Sequence, residues 1–291
     1  MTEEKKEVLL DIQGLSITFE SYNAALEKVA SRVISDLSVQ IYTGEILAVV
    51  GSSGSGKSLL AHAAMGILPN NAKIGGNITY KGKPLTREYQ EKLQGKEIAF
   101  IPQSVAYLDP LMRVGEQVRG SEGEKLREAQ AKAFEKYHLA SQVSSLYPFQ
   151  LSGGMARRVL ISTAVVTNAE LIIADEPTPG LDLKIAIQAL KDFREFADQG
   201  KGVLLITHDI DLALHVADRI SIFHSGTVIE TARRDDFSGD GEGLKHPYSR
   251  ALFKALPQNG FQLPYCSECG TSCAIWEISG NEMRCSCGVH Y

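Results

Sequence analysis

The chain has 291 residues, 44% hydrophobic and 22% charged, which is enough to build one large α/β domain with additions. The net charge of −5 argues against a nucleic-acid partner, and no apolar run approaches the length needed to span a bilayer. The start, Met1-Thr2-Glu3-Glu4-Lys5-Lys6-Glu7, is charged and lacks an apolar signal region, so the expected place is the cytoplasm, with any work at a membrane done through a partner.

From the N-terminus, residues 8–19 alternate, with Leu9, Ile12, Leu15, Ile17 and Phe19 as apolar points, and predict a strand. Residues 33–41 predict a second one. Residues 21–31 between them fit a short helix or an extended hairpin tip. The apolar run Ile46-Leu47-Ala48-Val49-Val50 then leads into Gly51-Ser52-Ser53-Gly54-Ser55-Gly56-Lys57-Ser58 and a helical Leu59-Leu60-Ala61-His62-Ala63-Ala64-Met65. Strand, glycine-rich turn and helix are the context a P-loop requires. Backbone N–H groups in such a turn form a nest for phosphate oxygens, and the helix adds its positive dipole end. Lys57 is placed for the β- and γ-phosphates of a nucleotide, and the Ser58 hydroxyl for Mg²⁺.

After a loop over residues 66–76, Asn77-Ile78-Thr79-Tyr80 predicts a short strand, and residues 97–103 predict another that ends on Gln103. Residues 114–137 turn helical, with Leu126, Ala129, Ala133, Phe134 and Tyr137 on one face. Ser152-Gly153-Gly154 opens a further helix with Ser152 as N-cap. Solvation is a sufficient account of Arg157 and Arg158 on that helix. Leu171-Ile172-Ile173-Ala174-Asp175 is a buried strand, residues 183–196 an amphipathic helix and residues 203–208 another buried strand. A helix over 212–217 and a hairpin of 219–223 with 227–230 follow. Strands apolar on both faces that alternate with helices mean a mostly parallel sheet covered on both sides. The early alternating strands predict a smaller antiparallel sheet, and residues 239–243 a glycine-rich linker.

Three apolar strands run into polar groups: one into Gly51, one into Asp175-Glu176 and one into His208. In an open parallel sheet the carboxyl ends of the strands line a single crevice, so these groups are expected to meet around one nucleotide. Asp175 is the candidate to hold Mg²⁺, directly or through water. Glu176 is placed to orient or deprotonate the attacking water, and His208 to contact the γ-phosphate. Gln103 suits a water or Mg²⁺ contact that senses that phosphate. Two helix starts are phosphate-friendly, at Gly56 and at Ser152. Either the intervening segment folds back over one nucleotide, or two copies meet head to tail, each offering its Ser152 loop to the other's P-loop.

With these motifs in order, residues 8–236 resemble the ATP-binding cassette (ABC) ATPases. Residues 51–58 are similar to Walker A and Gln103 to the Q-loop. Leu151-Ser152-Gly153-Gly154-Met155 is similar to the signature, residues 171–176 to Walker B, Gly180-Leu181-Asp182 to the D-loop and His208 to the switch histidine. The resemblance implies a P-loop NTPase α/β fold: a RecA-like parallel core, an antiparallel β subdomain and a helical signature subdomain over about residues 104–165. It implies two ATP molecules sandwiched between two cassettes, each held by one chain's residues 51–58 and the other's Ser152, Gly153 and Gly154, with Asp182 at the same junction. Phe19 is the better candidate to stack on adenine, and Tyr22 the second. The subfamily looks like the peptide and nickel importers, through Leu108-Asp109-Pro110-Leu111-Met112-Arg113-Val114-Gly115, Tyr147-Pro148-Phe149-Gln150 before the signature, and His246-Pro247-Tyr248-Ser249-Arg250-Ala251-Leu252 within residues 237–264. Such importers imply two membrane permease subunits, a second ATPase, an extracytoplasmic binding protein, and a peripheral place on the cytoplasmic face of the membrane. Two departures stand out. Ala156-Arg157-Arg158 lacks the glutamine usual before the arginine, and Pro179-Gly180 replaces smaller residues. A soluble cassette ATPase of repair or translation is the alternative; this chain lacks the long heptad run or the second cassette of those proteins.

All five cysteines fall in the last stretch, residues 265–291. Cys266-Ser267-Glu268-Cys269-Gly270 is a knuckle, and Cys285-Ser286-Cys287-Gly288 a second cysteine turn. Residues 274–284 between them read as a hairpin. Two cysteine turns bridged by a hairpin resemble a zinc ribbon, with Cys266, Cys269, Cys285 and Cys287 as thiolate ligands. Cys273 or His290 could replace one ligand, and an iron–sulfur cluster or a metal-free redox tail are the other readings.

Overall fold

The computed structural model describes residues 6–22, 24, 26–256 and 259, and the strand backbones of Tyr265–Cys266, Thr271–Ser272, Trp276–Ser279 and Glu282–Cys285. The chain opens with β1 (Val8–Tyr22) and β2 (Lys28–Tyr42), paired antiparallel up to Tyr22 opposite Lys28. The expected strands stop at Phe19 and resume at Val33, and of the two readings for the residues between them the structure takes the extended hairpin tip. That tip needs no buried face to exist, because each strand satisfies the other's backbone groups. Its side chains are accordingly exposed from Lys28 to Arg32.

β3 (Ile46–Val50) is wholly buried and delivers the glycine-rich turn to α1 (Lys57–Met65). β4 (Ala72–Tyr80) is longer than the expected strand and joins β1 from the other side, followed by β5 (Lys83–Pro84). The antiparallel sheet thus runs β2-β1-β4-β5. α2 (Arg87–Leu93), which the hydrophobic pattern did not announce, starts where the Thr86 side chain accepts from the Tyr89 N–H. β6 (Ile98–Ile101) follows. The single helix expected over residues 114–137 is in fact two, α3 (Val114–Arg119) and α4 (Arg127–Lys136), joined by a 3-10 stretch. The break lies at Gly120 and Gly123, whose φ values of 53° and 52° cannot continue an α-helix.

α5 (Gly153–Val166), β7 (Leu171–Asp175), α6 (Leu183–Asp198), β8 (Gly202–Thr207) and α7 (Ile210–Val216) come next, then the antiparallel pair β9 (Arg219–His224) and β10 (Thr227–Arg233). The large sheet runs β10-β9-β3-β8-β7-β6 and is parallel except for β10. Alternate residues of its strands serve two different cores. Ala48, Ile172 and Leu205 pack with Ile185, Phe193 and Ala213 of α6 and α7. Leu47, Val49, Ile173 and Ile206 pack with Leu60 and Ala64 of α1 and with the antiparallel sheet. Both faces are covered, so these strands read as unbroken apolar runs. α3, α4 and part of α5 enclose a third, separate cluster around Val118, Phe134 and Val159.

The glycine-rich residues after β10 are not a free tether. Phe237 and Leu244 are buried in the main core with Phe253 of α8 (Pro247–Lys254), and the Phe237 and Phe253 rings meet edge to face at 5.9 Å. Beyond α8, β11 (Tyr265–Cys266) pairs with β12 (Thr271–Ser272), and β13 (Trp276–Ser279) with β14 (Glu282–Cys285). The second pair is the hairpin expected between the cysteine turns. The ligand assignments for Cys266, Cys269, Cys285 and Cys287 concern side chains that lie outside the described residues.

Candidate nucleotide site

The register of the parallel sheet sets the site. Val50 stands opposite Thr207, Asp175 opposite Ile206, and Ile101 opposite Ala174. The residues just past those ends, namely Gly51, Glu176, His208 and the pair Pro102-Gln103, therefore share one edge. Gly51 is the tightest point of the turn, because a Cβ there would lie 2.4 Å from the Phe223 carbonyl oxygen of β9. At Gly56, the residue capping α1, φ is 102°, so a side chain would be strained as well. Ser52, Ser53 and Gly54 are exposed at the rim, and Ser55 bonds back to the Ser52 carbonyl.

Lys57 curls over this turn. Its ammonium donates to the carbonyls of Gly51 at 2.9 Å and Ser52 at 2.7 Å. The residue is only 4% exposed. Burial pulls its pKa below the ordinary lysine value, and the charges of Glu176 and Asp175 oppose that shift. The Ser58 hydroxyl donates to Asp175 Oδ1 at 3.1 Å. Asp175 is fully buried, and burial pushes its carboxyl up to about 6, against the Ser58 hydrogen bond and the attraction of Lys57 and Arg157. Glu176 sits at a φ of 45°, a left-handed conformation rare for a residue with a side chain. Its N–H bonds to the Ile206 carbonyl, which locks that turn. His208 Nδ1 lies 2.8 Å from Glu176 Oε2, and since an ionised carboxylate only accepts, Nδ1 carries the proton of that bond.

The structure thus brings together residues 51–58, Asp175, Glu176 and His208. Gln103 is exposed on the same edge. Phe19 is half-buried on β1 against the core that includes α1, and Tyr22 is 71% exposed at the hairpin tip. Ser152 is exposed as the N-cap of α5 and Gly153 and Gly154 are its first turn, Gly153 exposed and Gly154 half-buried; the Ser152 hydroxyl caps the helix by accepting from the Met155 N–H. Among the described residues no hydrogen bond joins this helix start to residues 51–58. Instead it neighbours the turn before α6: a Cβ on Gly154 would lie 3.6 Å from the Gly180 carbonyl oxygen. Asp182 caps α6, accepting from the Ile185 N–H at 3.0 Å.

Arg157 was not expected here. It is 8% exposed and donates to the Pro102 carbonyl at 2.9 Å. Arg158 is also engaged, with the carbonyls of Gly154, Tyr137 and His138. Solvation therefore accounts for neither arginine. The signal was present in the pattern: Arg157, Leu160, Ile161 and Ala164 form one buried stripe at helical spacing. An aromatic trio was also missed. The rings of His62, Phe100 and Tyr107 lie 6.0 to 6.3 Å apart and tie α1 to the segment after Gln103.

The family model described as ABC transporter matches residues 34–179. The chain is 32% identical to the oligopeptide transport ATP-binding protein OppD of Bacillus subtilis over 267 residues, covering 86% of this chain and 72% of that protein. It is 34% identical to the probable D,D-dipeptide transport ATP-binding protein DdpD of Escherichia coli, covering 87% and 79% respectively. The chain belongs to the ABC transporter family. Its fold is that of a solved ATP-binding subunit of an ABC transporter, with a TM-score of 0.65 at 26% identity over 79% of this chain and 91% of that one. A cassette solved in a post-hydrolysis dimer with ADP and phosphate gives 0.66 at 25% identity, over 78% of this chain and 99% of that one. This ABC protein is accordingly an ATPase of the cassette type, and its matched relatives are ATP-binding proteins of peptide transport. Among the described residues no helix is long and apolar enough to cross a membrane.

Proposed function

We propose that this chain is one of two cassettes that hydrolyse ATP to drive a peptide importer, lying on the cytoplasmic face of the membrane against two permease subunits. The observation that carries the reading is the split site. Residues 51–58, Asp175, Glu176 and His208 share one edge, while Ser152 is exposed at the start of α5 and, among the described residues, makes no hydrogen bond to them. A nucleotide held by residues 51–58, with Phe19 against its base, would be completed by Ser152, Gly153, Gly154 and Asp182 of a second cassette. The names of the matched relatives favour peptides over nickel complexes as the cargo, delivered by an extracytoplasmic binding protein.

The residues present fit Mg²⁺. The Ser58 hydroxyl and the Asp175 carboxylate are hard oxygen donors already side by side, with Gln103 on the same edge. A bound Mg²⁺ would neutralise phosphate charge there. Lys57 would leave its two carbonyls for the phosphate oxygens, which are stronger acceptors because they are charged. Glu176 takes the proton of the attacking water through the carboxylate oxygen that His208 does not occupy, and its fixed backbone turn aims it. His208 steadies Glu176 through Nδ1–H, and with its Nε2 also protonated it would donate that N–H to the γ-phosphate.

The proposed division is an ATPase region over residues 1–236 with the helical subdomain at 104–165, a subfamily segment over 237–264 and a metal-binding tail over 265–291. The two terminal hairpins support a zinc ribbon held by Cys266, Cys269, Cys285 and Cys287. Zinc content that is unchanged in a Cys266→Ser, Cys269→Ser double variant would reject that ligand set, and visible absorbance would point to an iron–sulfur cluster. For the main reading, ATPase activity per chain is expected to fall on dilution. A Lys57→Ala chain mixed with a Ser152→Arg chain is expected to regain part of the activity that neither has alone. A dilute monomer of full activity, indifferent to the Ser152 change, would refute the reading.

A further inference from the structure

Arg157 is a cation buried on the helix that starts at Ser152, which makes it the group in this chain whose presence most needs a reason. It lies on α5 one helical turn past Gly153, in the apolar stripe with Leu160 and Ile161. A guanidinium in such a place is costly unless it is paired. Its Nη1 reaches the carbonyl of Pro102 at 2.9 Å. Proline has no N–H, so that carbonyl is the one backbone handle by which this residue can be held. Pro102 follows β6, whose last residue stands opposite Ala174, and precedes Gln103. The arginine therefore touches the peptide that leads into Gln103, next to the strand end that carries Asp175 and Glu176. That place sets a fixed positive charge near two adjacent carboxylates.

We propose that Arg157 is a positioning residue that ties the peptide leading into Gln103 to α5 beside the strand end carrying Asp175 and Glu176, so that Gln103 and the hydrolytic groups are held in one fixed arrangement. The proposal rests on the cation and base roles given above to Asp175 and Glu176. It makes the charge at position 157 useful in two ways. The charge offsets the repulsion of two adjacent carboxylates. It also opposes a divalent cation arriving at Asp175, so turnover is gained at the expense of cation affinity.

The test compares the full chain with Arg157→Lys, which keeps charge and a donor, and Arg157→Met, which keeps length alone. Arg157→Gln takes the place of the methionine variant if that one fails to fold. Two readouts are taken: the KM and kcat of ATP hydrolysis, and Mn²⁺ binding in the presence of ADP by electron paramagnetic resonance. Arg157→Met is expected to lower kcat about tenfold or more, leave the KM for ATP within about twofold and bind Mn²⁺ several-fold more tightly. Arg157→Lys is expected to restore most of kcat and the original Mn²⁺ affinity. A merely structural arginine would not tighten Mn²⁺ binding when removed. Unchanged kcat in Arg157→Met overturns the proposal, and so does a lysine variant as impaired as the methionine one with Mn²⁺ affinity unmoved. An Asp175→Asn control separates the two levels: if it leaves Mn²⁺ binding intact, the underlying site assignment falls and the proposal falls with it.

Discussion

Asp175→Asn is expected to make the nucleotide-free chain more stable while abolishing Mg²⁺-dependent turnover. Asparagine keeps the shape of the side chain and an oxygen that can still accept from Ser58. It removes a charge that the fold disfavours. Burial pushes the Asp175 carboxyl from its ordinary 3.8 up to about 6, so the folded chain holds this proton more tightly than the unfolded chain does. Stability therefore falls as pH rises from about 4 to about 6, and the full cost is present above that range. The difference corresponds to about 3 kcal/mol at neutral pH, or roughly 5–10 °C in melting temperature for a chain of this size. The assay is thermal melting of both proteins without nucleotide or metal, from about pH 5 to about pH 8. The gain should be largest at the alkaline end and shrink towards the acid end. A variant no more stable than the parent at alkaline pH, or a gain that does not vary with pH, would refute the reasoning.

Glu176→Gln should keep ATP binding, lower turnover by about 100-fold or more, and accumulate an ATP-dependent dimer visible by size exclusion. Gly51→Ala forces a Cβ to within 2.4 Å of the Phe223 carbonyl, so a loss of about 1–3 kcal/mol in denaturant melts is expected together with loss of fluorescent-nucleotide binding. Burial lowers the imidazole pKa values of His62 and His224, and the nearby His246 adds to the effect on His224. The unfolded chain then takes up protons near 6.5 that the folded one refuses. Stability is expected to fall as pH drops below about 6.5, and His62→Gln should remove part of that fall.

The parts of this molecule that were legible in its sequence are those whose causes are local or doubly buried. The turn of residues 51–58 declares itself because each position has a steric or donor role of its own. β3, β7 and β8 declare themselves because both faces are covered. Two features did not show and a third showed only as an alternative. The hairpin beyond Phe19 was one of two readings of residues 21–31, because it is held by backbone pairing, which leaves no mark in side-chain periodicity. The separation of α3 from α4 depends on the conformations of two glycines, a signal that an apolar stripe running across them concealed. Arg157 was weighed by its charge when its place in a buried stripe should have decided. The pairing of Glu176 with His208 was legible only as a shared edge; the 2.8 Å contact needed the structure.

The lysine bent over its own loop has a kinetic side. Its ammonium rests on two main-chain oxygens of the turn, so those bonds brace the turn's shape. An incoming polyphosphate must displace those two bonds, and only a ligand able to offer stronger acceptors at the same spacing does so at little net cost. Discrimination between polyphosphates and weak anions thus begins at this one side chain.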